Sequence, residues 1–236
     1  MCGRKTLTKN IADIIDEMNI ECWEASDYKP NYNIAPTQHS TVLIQKKNKT
    51  TAKLMRWGLV PKWSKKPANT YKIFNARIET ILEKPAFKSS MQKNRCVVLA
   101  DGYYEWDQNT SQPYYLYHPK NQIIPMAGLW TKWNQTNSKS LFYYTVITAK
   151  PIEKISHIHN RMPAILSKNN IKNWLGYKNT NISNLLTKIQ NHKPKLKFYP
   201  VSKYVNSVNN NSSHCIKLIN LHKTINIFSS KEKYNT

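Results

Sequence analysis

The stretch from Cys96 to Thr148 decides the fold. It contains CVVLA (96–100), YYEW (103–106), PYYLYH (113–118), IIPMAGLW (123–130) and FYYTVIT (142–148), with Asp101-Gly102 and polar runs between them. Short runs rich in aromatic and β-branched residues, divided by turn formers, predict antiparallel strands with several aromatics on one face. Upstream, TVLIQ (41–45) and AKLMRWGL (52–59) flank the polar KKNKT (46–50) and predict a hairpin over Ser40 to Leu59. Ile11, Ile14, Ile15 and Met18 recur at helical spacing behind Asn10, a good N-cap, and predict a helix over 10–19 with the Cys2 end as a short arm before it. Arg77 to Leu82 reads as a short helix closed by Pro85, followed by a second turn carrying Phe87 and Met91. Downstream come helices near 169–176 and 182–190, FYPVSKYV (198–205) as a last strand and an asparagine-rich loop over 206–213. No repeat or long Gly/Pro-rich linker divides the chain. The expectation is therefore one α+β domain over 1–222, with a curved, barrel-like, mostly antiparallel sheet flanked by short helices, and a frayed tail over 223–236.

The chain has 236 residues and is 40% hydrophobic, enough for a core, which excludes a disordered chain. No run approaches the roughly 18 apolar residues of a membrane span, and no apolar signal stretch follows the first residues, so no membrane association is expected. A cytoplasmic location is expected, nucleoid-associated in a bacterium. The four cysteines, Cys2, Cys22, Cys96 and Cys215, are far apart and match no zinc spacing; they are expected to remain thiols, with no metal and no cofactor.

A formal net charge of +23 puts a polyanion first among partners, although abundant Lys, Asn and Ile also fit AT-rich codon usage and a solvated surface. Of thirty-six basic residues only Arg4, Arg56, Arg77, Arg95 and Arg161 are arginine. In so lysine-rich a chain a retained arginine suggests a position that needs the planar, two-pronged guanidinium.

Cys2 is the strongest chemical signal. Removal of Met1 would leave an α-amine and a thiol on one residue. The amine, with an ordinary pKa of about 7.7–8.0, condenses with aldehydes, and a thiol of pKa about 8.5 closes onto the resulting imine as a five-membered thiazolidine. Gly3-Arg4 gives a flexible joint and a cation expected to lower the thiol pKa. A lone cysteine is otherwise a small buried apolar residue.

MCGR at the start, YNIAPTQ (32–38), MRWGLVPKW (55–63), FNARIET (74–80), RCVVLADGYYEW (95–106), AGLW (127–130), TVITA (145–149) and IHNRMPAIL (158–166) occur in this order. Together they resemble the SRAP family, SOS-response-associated proteins that process abasic sites. The resemblance implies trapping of the ring-opened abasic aldehyde in single-stranded DNA through Cys2, with Asn75 as a positioning amide, Glu105 as acid and base, and His159 assisting. His157 lies two residues earlier, and only the IHNRMP pattern favours His159. Arg4, Arg77 and Arg161 read as phosphate contacts, and Pro36, Trp57 and Trp63 as surfaces for flanking bases, with the tryptophans equally able to be core. Asn160 stands where the family commonly has an acid. Weak lyase activity by β-elimination is an expected side reaction, and the replication machinery is a candidate partner of a monomeric protein. Two rivals remain: a thiol peptidase that processes its own leader, and a non-catalytic single-strand-binding protein. A glutamine-hydrolysing enzyme with the same Met-Cys-Gly start does not fit the remaining blocks.

Overall fold

The computed structural model describes residues 2–61, 63–64, 73–134, 140–176 and 181–220. The expected frayed tail over 223–236 and the removal of Met1 lie outside the described residues.

The predicted hairpin forms from β4 (His39–Lys46) and β5 (Lys49–Trp57), joined by Lys47 and Asn48 with φ of 49° and 64°. Positive φ at both central residues is what a tight hairpin turn matching the strand twist requires. β7 (Arg95–Ala100) pairs with β4, β10 (Ile124–Asn134) with β7, and β11 (Ser140–Ala149) with β10, all antiparallel. β11 then pairs in parallel with β5 at Tyr143 and Tyr144, closing a ring of five strands. This barrel carries β2 (Cys22–Glu24) on the free side of β5. Two short strands extend β11: β6 (Asn75–Arg77), in parallel, and β12 (Met162–Pro163). Both faces of its wall are packed: the register sets Leu43, Val97, Leu99 and Leu129 on one face and Val146 with Cys96 on the other, all fully buried. The barrel expectation is met.

The stretch 103–117 does not stay in that sheet. β8 (Gly102–Trp106) and β9 (Pro113–Tyr117) join β1 (Lys5–Leu7), β3 (Asn31–Ile34) and β13 (Lys197–Pro200) in a second sheet of order β13-β9-β8-β1-β3. The switch happens at Asp101-Gly102, where a Cβ on residue 102 would collide with the Tyr115 ring. Asp101 pins the corner by accepting from the Thr8 backbone N–H and hydroxyl and from the Thr6 hydroxyl. One face of this sheet carries the predicted aromatic cluster, Tyr104, Tyr115, Tyr117, Tyr199 and Trp106.

α1 (Ile11–Met18) has Asn10 as its N-cap, accepting from Asp13 N–H, as the spacing predicts. α3 (Lys168–Leu175) and α4 (Ile182–Gln190) also fall where expected. Pro85 is a correction: it opens α2 (Pro85–Lys93), because proline suits the first helical position, and only a 3-10 turn over Ile78–Thr80 precedes it. The last strand likewise stops at Pro200, and Lys203–Asn206 is a 3-10 turn begun by the Ser202 side chain accepting from Tyr204 N–H.

Candidate functional site

The site is built where the chain start meets both sheets. β1 lies antiparallel to β8 with Lys5 opposite Tyr103, and Tyr104 N–H donates to Arg4 C=O at 3.0 Å. Carried on towards the chain start, this register sets Gly3 opposite Glu105. Cys2 is fully buried and belongs to the main core cluster, so the expected free arm is instead a packed strand entry.

Asn75 reaches the same place from β6. Its Nδ2 donates to Cys2 C=O at 2.7 Å, while its Oδ1 is buried with no hydrogen-bond partner among the described residues. β6 is held by pairing with Val146 to Thr148 of β11, and from behind by Trp57, whose Nε1 donates to Phe74 C=O at 2.8 Å. Trp57 is fully buried and stacked on Tyr144 with ring centroids 5.9 Å apart. The expectation that it stacks on a base is therefore corrected: both faces are taken by protein, and its indole positions Asn75. Trp63, 64% exposed, does present a free surface, and Pro36 is half-exposed. Pro36 precedes Thr37, whose φ of 77° is costly for a β-branched residue and is maintained by Thr37 N–H to Trp57 C=O at 2.8 Å and Arg56 Nε to Thr37 C=O at 2.9 Å.

Burial raises the Glu105 carboxyl to about 7, and the amino-terminal charge draws it part of the way back. Burial also pushes the Cys2 thiol up, and the Glu105 charge pushes it further. The expected net lowering is therefore reversed: Arg4 lowers the thiol pKa only through a backbone hydrogen bond, which burial outweighs. The Arg4 guanidinium donates to Asn33 Oδ1 and Val205 C=O at 2.7 Å each and lies 5.7 Å from the centre of the Trp106 ring, which ties β1 to the 3-10 turn. His159 is half-buried and its Nδ1 accepts from Arg161 N–H at 3.0 Å, which leaves the ring proton on Nε2 when the imidazole is neutral. Burial first, and the amino-terminal charge second, hold its pKa below the ordinary 6.5. His157 is exposed and rests on Phe198, and Asn160 points to solvent.

The arginines divide by burial. Arg161 forms a two-pronged pair with Glu79 at 2.7 and 2.9 Å and donates to Thr148 C=O at 2.6 Å. Its fork is spent on joining the 161 loop to β11 and the 78–80 turn, so the phosphate role expected of it is corrected to a structural one, as is that of Arg4. Arg95 is buried and donates to carbonyls of Met91, Trp174 and Gly176 at the ends of α2 and α3, where a cation complements the helix dipoles. Arg77, on the exposed side of β6 two residues from Asn75, is open to a phosphate.

Two buried groups at the site carry no signal in the sequence. Lys5 is fully buried, its Nζ donating to Ser40 Oγ at 2.5 Å and Leu99 C=O at 2.8 Å; burial lowers its pKa to about 7, and its charge acts on Cys2. The Tyr103 hydroxyl is buried without a hydrogen-bond partner among the described residues, and its ionisation is opposed by burial, then by Glu105 and Cys2. A surface lysine and a core tyrosine have no sequence mark that distinguishes them from these. Among the described residues no group of three His, Cys, Asp or Glu is placed to hold a metal. The arrangement offers a nucleophile, a carboxyl that titrates near neutrality, a neutral imidazole, and two orphaned polar atoms able to bind a polar ligand.

The sequence model of the SOS response associated peptidase (SRAP) family matches residues 1–208. The chain belongs to the SRAP family. SRAP relatives include the protein named abasic site processing protein YoqW of Bacillus subtilis, 39% identical over 222 residues, covering 92% of this chain and 99% of that one. The abasic site processing protein HMCES of Xenopus tropicalis is 33% identical over 264 residues, covering 93% of this chain and 78% of that one. Among solved structures, a Bacteroides thetaiotaomicron protein superposes with a TM-score of 0.80 at 20% identity, covering 93% of this chain and all of that one, which bears out the fold. Cys2, Asn75, Glu105 and His159 all fall inside the family match.

Proposed function

We propose that this SRAP protein processes abasic sites in single-stranded DNA by forming a covalent thiazolidine at Cys2 once Met1 is removed. The observation that carries the reading is the meeting of Asn75 and Glu105 at Cys2, one by a 2.7 Å hydrogen bond to its carbonyl and the other by its charge. With a carboxyl pKa of about 7, Glu105 is present in both protonation states at neutral pH and suits both proton donation and acceptance. Protonated, it gives its proton to the ring oxygen and takes up the proton of the anomeric hydroxyl as the abasic sugar opens to the aldehyde, which leaves it protonated again. The Cys2 amine adds to the aldehyde carbon and water leaves, forming the imine. Glu105 protonates the imine nitrogen, takes the thiol proton in return, and the sulfur bonds to the same carbon. One water is released overall and the carboxyl returns to its starting state. The high pKa of the buried thiol keeps it protonated and inert until the imine exists. The buried Asn75 Oδ1 and Tyr103 hydroxyl would take hydrogen bonds from and to the opened sugar, and neutral His159 would serve its hydroxyls through Nε2.

Arg77, Trp63 and Pro36 would hold the flanking strand, with the general positive charge supplying the remaining attraction. The thiol must stay free, so the proposed setting is a reducing, cytoplasmic one, with the protein acting alone and near replicating DNA. β-Elimination from the imine would give weak lyase activity.

The test incubates the protein with a uracil-containing single-stranded oligonucleotide pretreated with uracil glycosylase, followed by a denaturing gel. A heat-stable shifted band is expected, absent with Cys2→Ala and with a chain retaining a residue ahead of Cys2. An adduct that survives Cys2→Ala refutes the mechanism; salt-sensitive binding with no adduct makes the protein a plain binding module.

A further inference from the structure

A second cavity of about 300 Å³ shares no lining residue with the site around Cys2. It lies where the start of β10, the segment after β12, the first residues of α3 and the 192–196 segment behind α4 converge. Its lining is largely aliphatic, from Ile123, Ile124, Pro125, Ile165, Leu166 and Leu196. That floor is fixed: Leu166 N–H donates to Pro125 C=O and Ala127 N–H to Ala164 C=O, each at 2.8 Å. The mouth carries Lys168, Lys193 and Lys195, all exposed, and none of them has an ion pair among the described residues. His118 and His192 complete the rim; burial lowers the pKa of both, and at His118 the charge of Glu17 opposes this while Lys120, Lys168 and Lys195 add to it.

Among the described residues no carboxylate lines the cavity. Glu17, which accepts from Ile123 N–H at 2.7 Å and pairs with Lys9 at 3.3 Å, is outside the lining and acts on it only through its charge at His118. The volume is at the small end for a ligand pocket, which runs from about 300 to 1,000 Å³, and suits one large apolar side chain. A nucleobase is held by stacking on aromatic faces, and this lining offers none beyond the two imidazoles. Positive charge around an aliphatic hole therefore calls for negative charge around an apolar anchor.

We propose that this cavity docks an acidic peptide segment of a partner protein, which inserts one large apolar side chain between Ile124, Ile165 and Leu196 while its carboxylates meet Lys168, Lys193 and Lys195. The inference is independent of the chemistry at Cys2. It is tested with the full chain and a fluorescein-labelled peptide, Asp-Asp-Phe-Asp-Asp, by fluorescence anisotropy. Saturable binding is expected, at least tenfold weaker for Asp-Asp-Ala-Asp-Asp and absent for Lys-Lys-Phe-Lys-Lys. The double variant Lys168→Glu/Lys195→Glu, at exposed positions and checked for an unchanged melting temperature, is expected to weaken binding at least tenfold, and Gln122→Trp, which fills the mouth, to do the same without changing charge. Equal affinity for the phenylalanine and alanine peptides overturns the proposal, as does binding indifferent to both variants. Failure of the acidic peptide to bind, with a thymidine oligonucleotide lost in Lys168→Glu/Lys195→Glu, would make the surface a nucleic-acid contact and also overturn it. If the cavity docks a peptide, adduct formation at Cys2 is expected to be unchanged in both variants, which separates this test from that of the chemistry at Cys2.

Discussion

Replacing Glu105 by Gln keeps the shape of the side chain and removes a charge that the fold holds at a cost. Raising a carboxyl from its ordinary 4.5 to about 7 makes its ionised form about 3 kcal/mol less favourable in the folded chain, at about 1.4 kcal/mol per factor of ten. Below pH 4.5 the group is protonated in both states and the cost is absent. Between 4.5 and about 7 the unfolded chain releases the proton while the folded chain keeps it, so the wild type loses stability as pH rises. Above about 7 both states are ionised and the full cost stands. Glu105→Gln escapes this, so its melting temperature minus that of the wild type is expected to be near zero at pH 4.5 and to climb to a plateau above pH 7. For a chain of this size about 3 kcal/mol corresponds to roughly 6–12 °C. The assay is thermal unfolding by circular dichroism from pH 4.5 to 8.5, on proteins whose identical chain start is verified by mass. A difference that does not change with pH, or a wild type that is the more stable protein at pH 8, refutes a strained buried carboxylate. The same variant is expected to slow crosslinking with little change in DNA binding. Lost binding with an unchanged crosslinking rate would count against the acid–base role.

Lys5→Met probes a second window: as pH falls from 10.5 towards about 7 the unfolded wild type takes up the Lys5 proton while the folded chain keeps a neutral amine, so the variant gains on it over that range in unfolding experiments. Trp57→Ala should cost about 3–5 kcal/mol of stability as a core truncation, whereas Trp63→Ala should stay within about 0.5 kcal/mol and instead weaken single-strand binding in anisotropy. Arg161→Ala should destabilise by about 1–3 kcal/mol through the lost Glu79 and Thr148 bonds, while Arg77→Ala leaves the melting curve unchanged and lowers the slope of log affinity against log salt by about one.

The strands, the hairpin and α1 were legible because their cause is local: alternation, turn formers and an N-cap act within a few residues. The blocks of the family resemblance placed the site residues in order along the chain. Where local rules failed, the competing cause was tertiary. Pro85 fits two local readings, a helix stop and a first helical position, and the packing of Phe87 and Met91 into the core selects the second. The strand after Asp101 leaves the barrel because Gly102 lets Tyr115 approach and Asp101 is held by Thr6 and Thr8, residues almost a hundred positions earlier. Scarce arginines do occupy two-pronged sites here, but with partners inside the chain: Arg4, Arg95 and Arg161 grip carbonyls and Glu79, which only long-range packing could bring to them.

Local pattern and motif order thus suffice for the α+β class, the barrel, the candidate nucleophile and the company it keeps. Which of those side chains are buried follows from long-range packing, and burial is what sets their chemistry. A carboxyl on an alternating strand has an ordinary pKa in water; enclosed beside Cys2 it titrates near 7. An unremarkable lysine at position 5 becomes a buried amine that also titrates near neutrality, because desolvation depends on every element packed around it and not on the residues next to it in the chain.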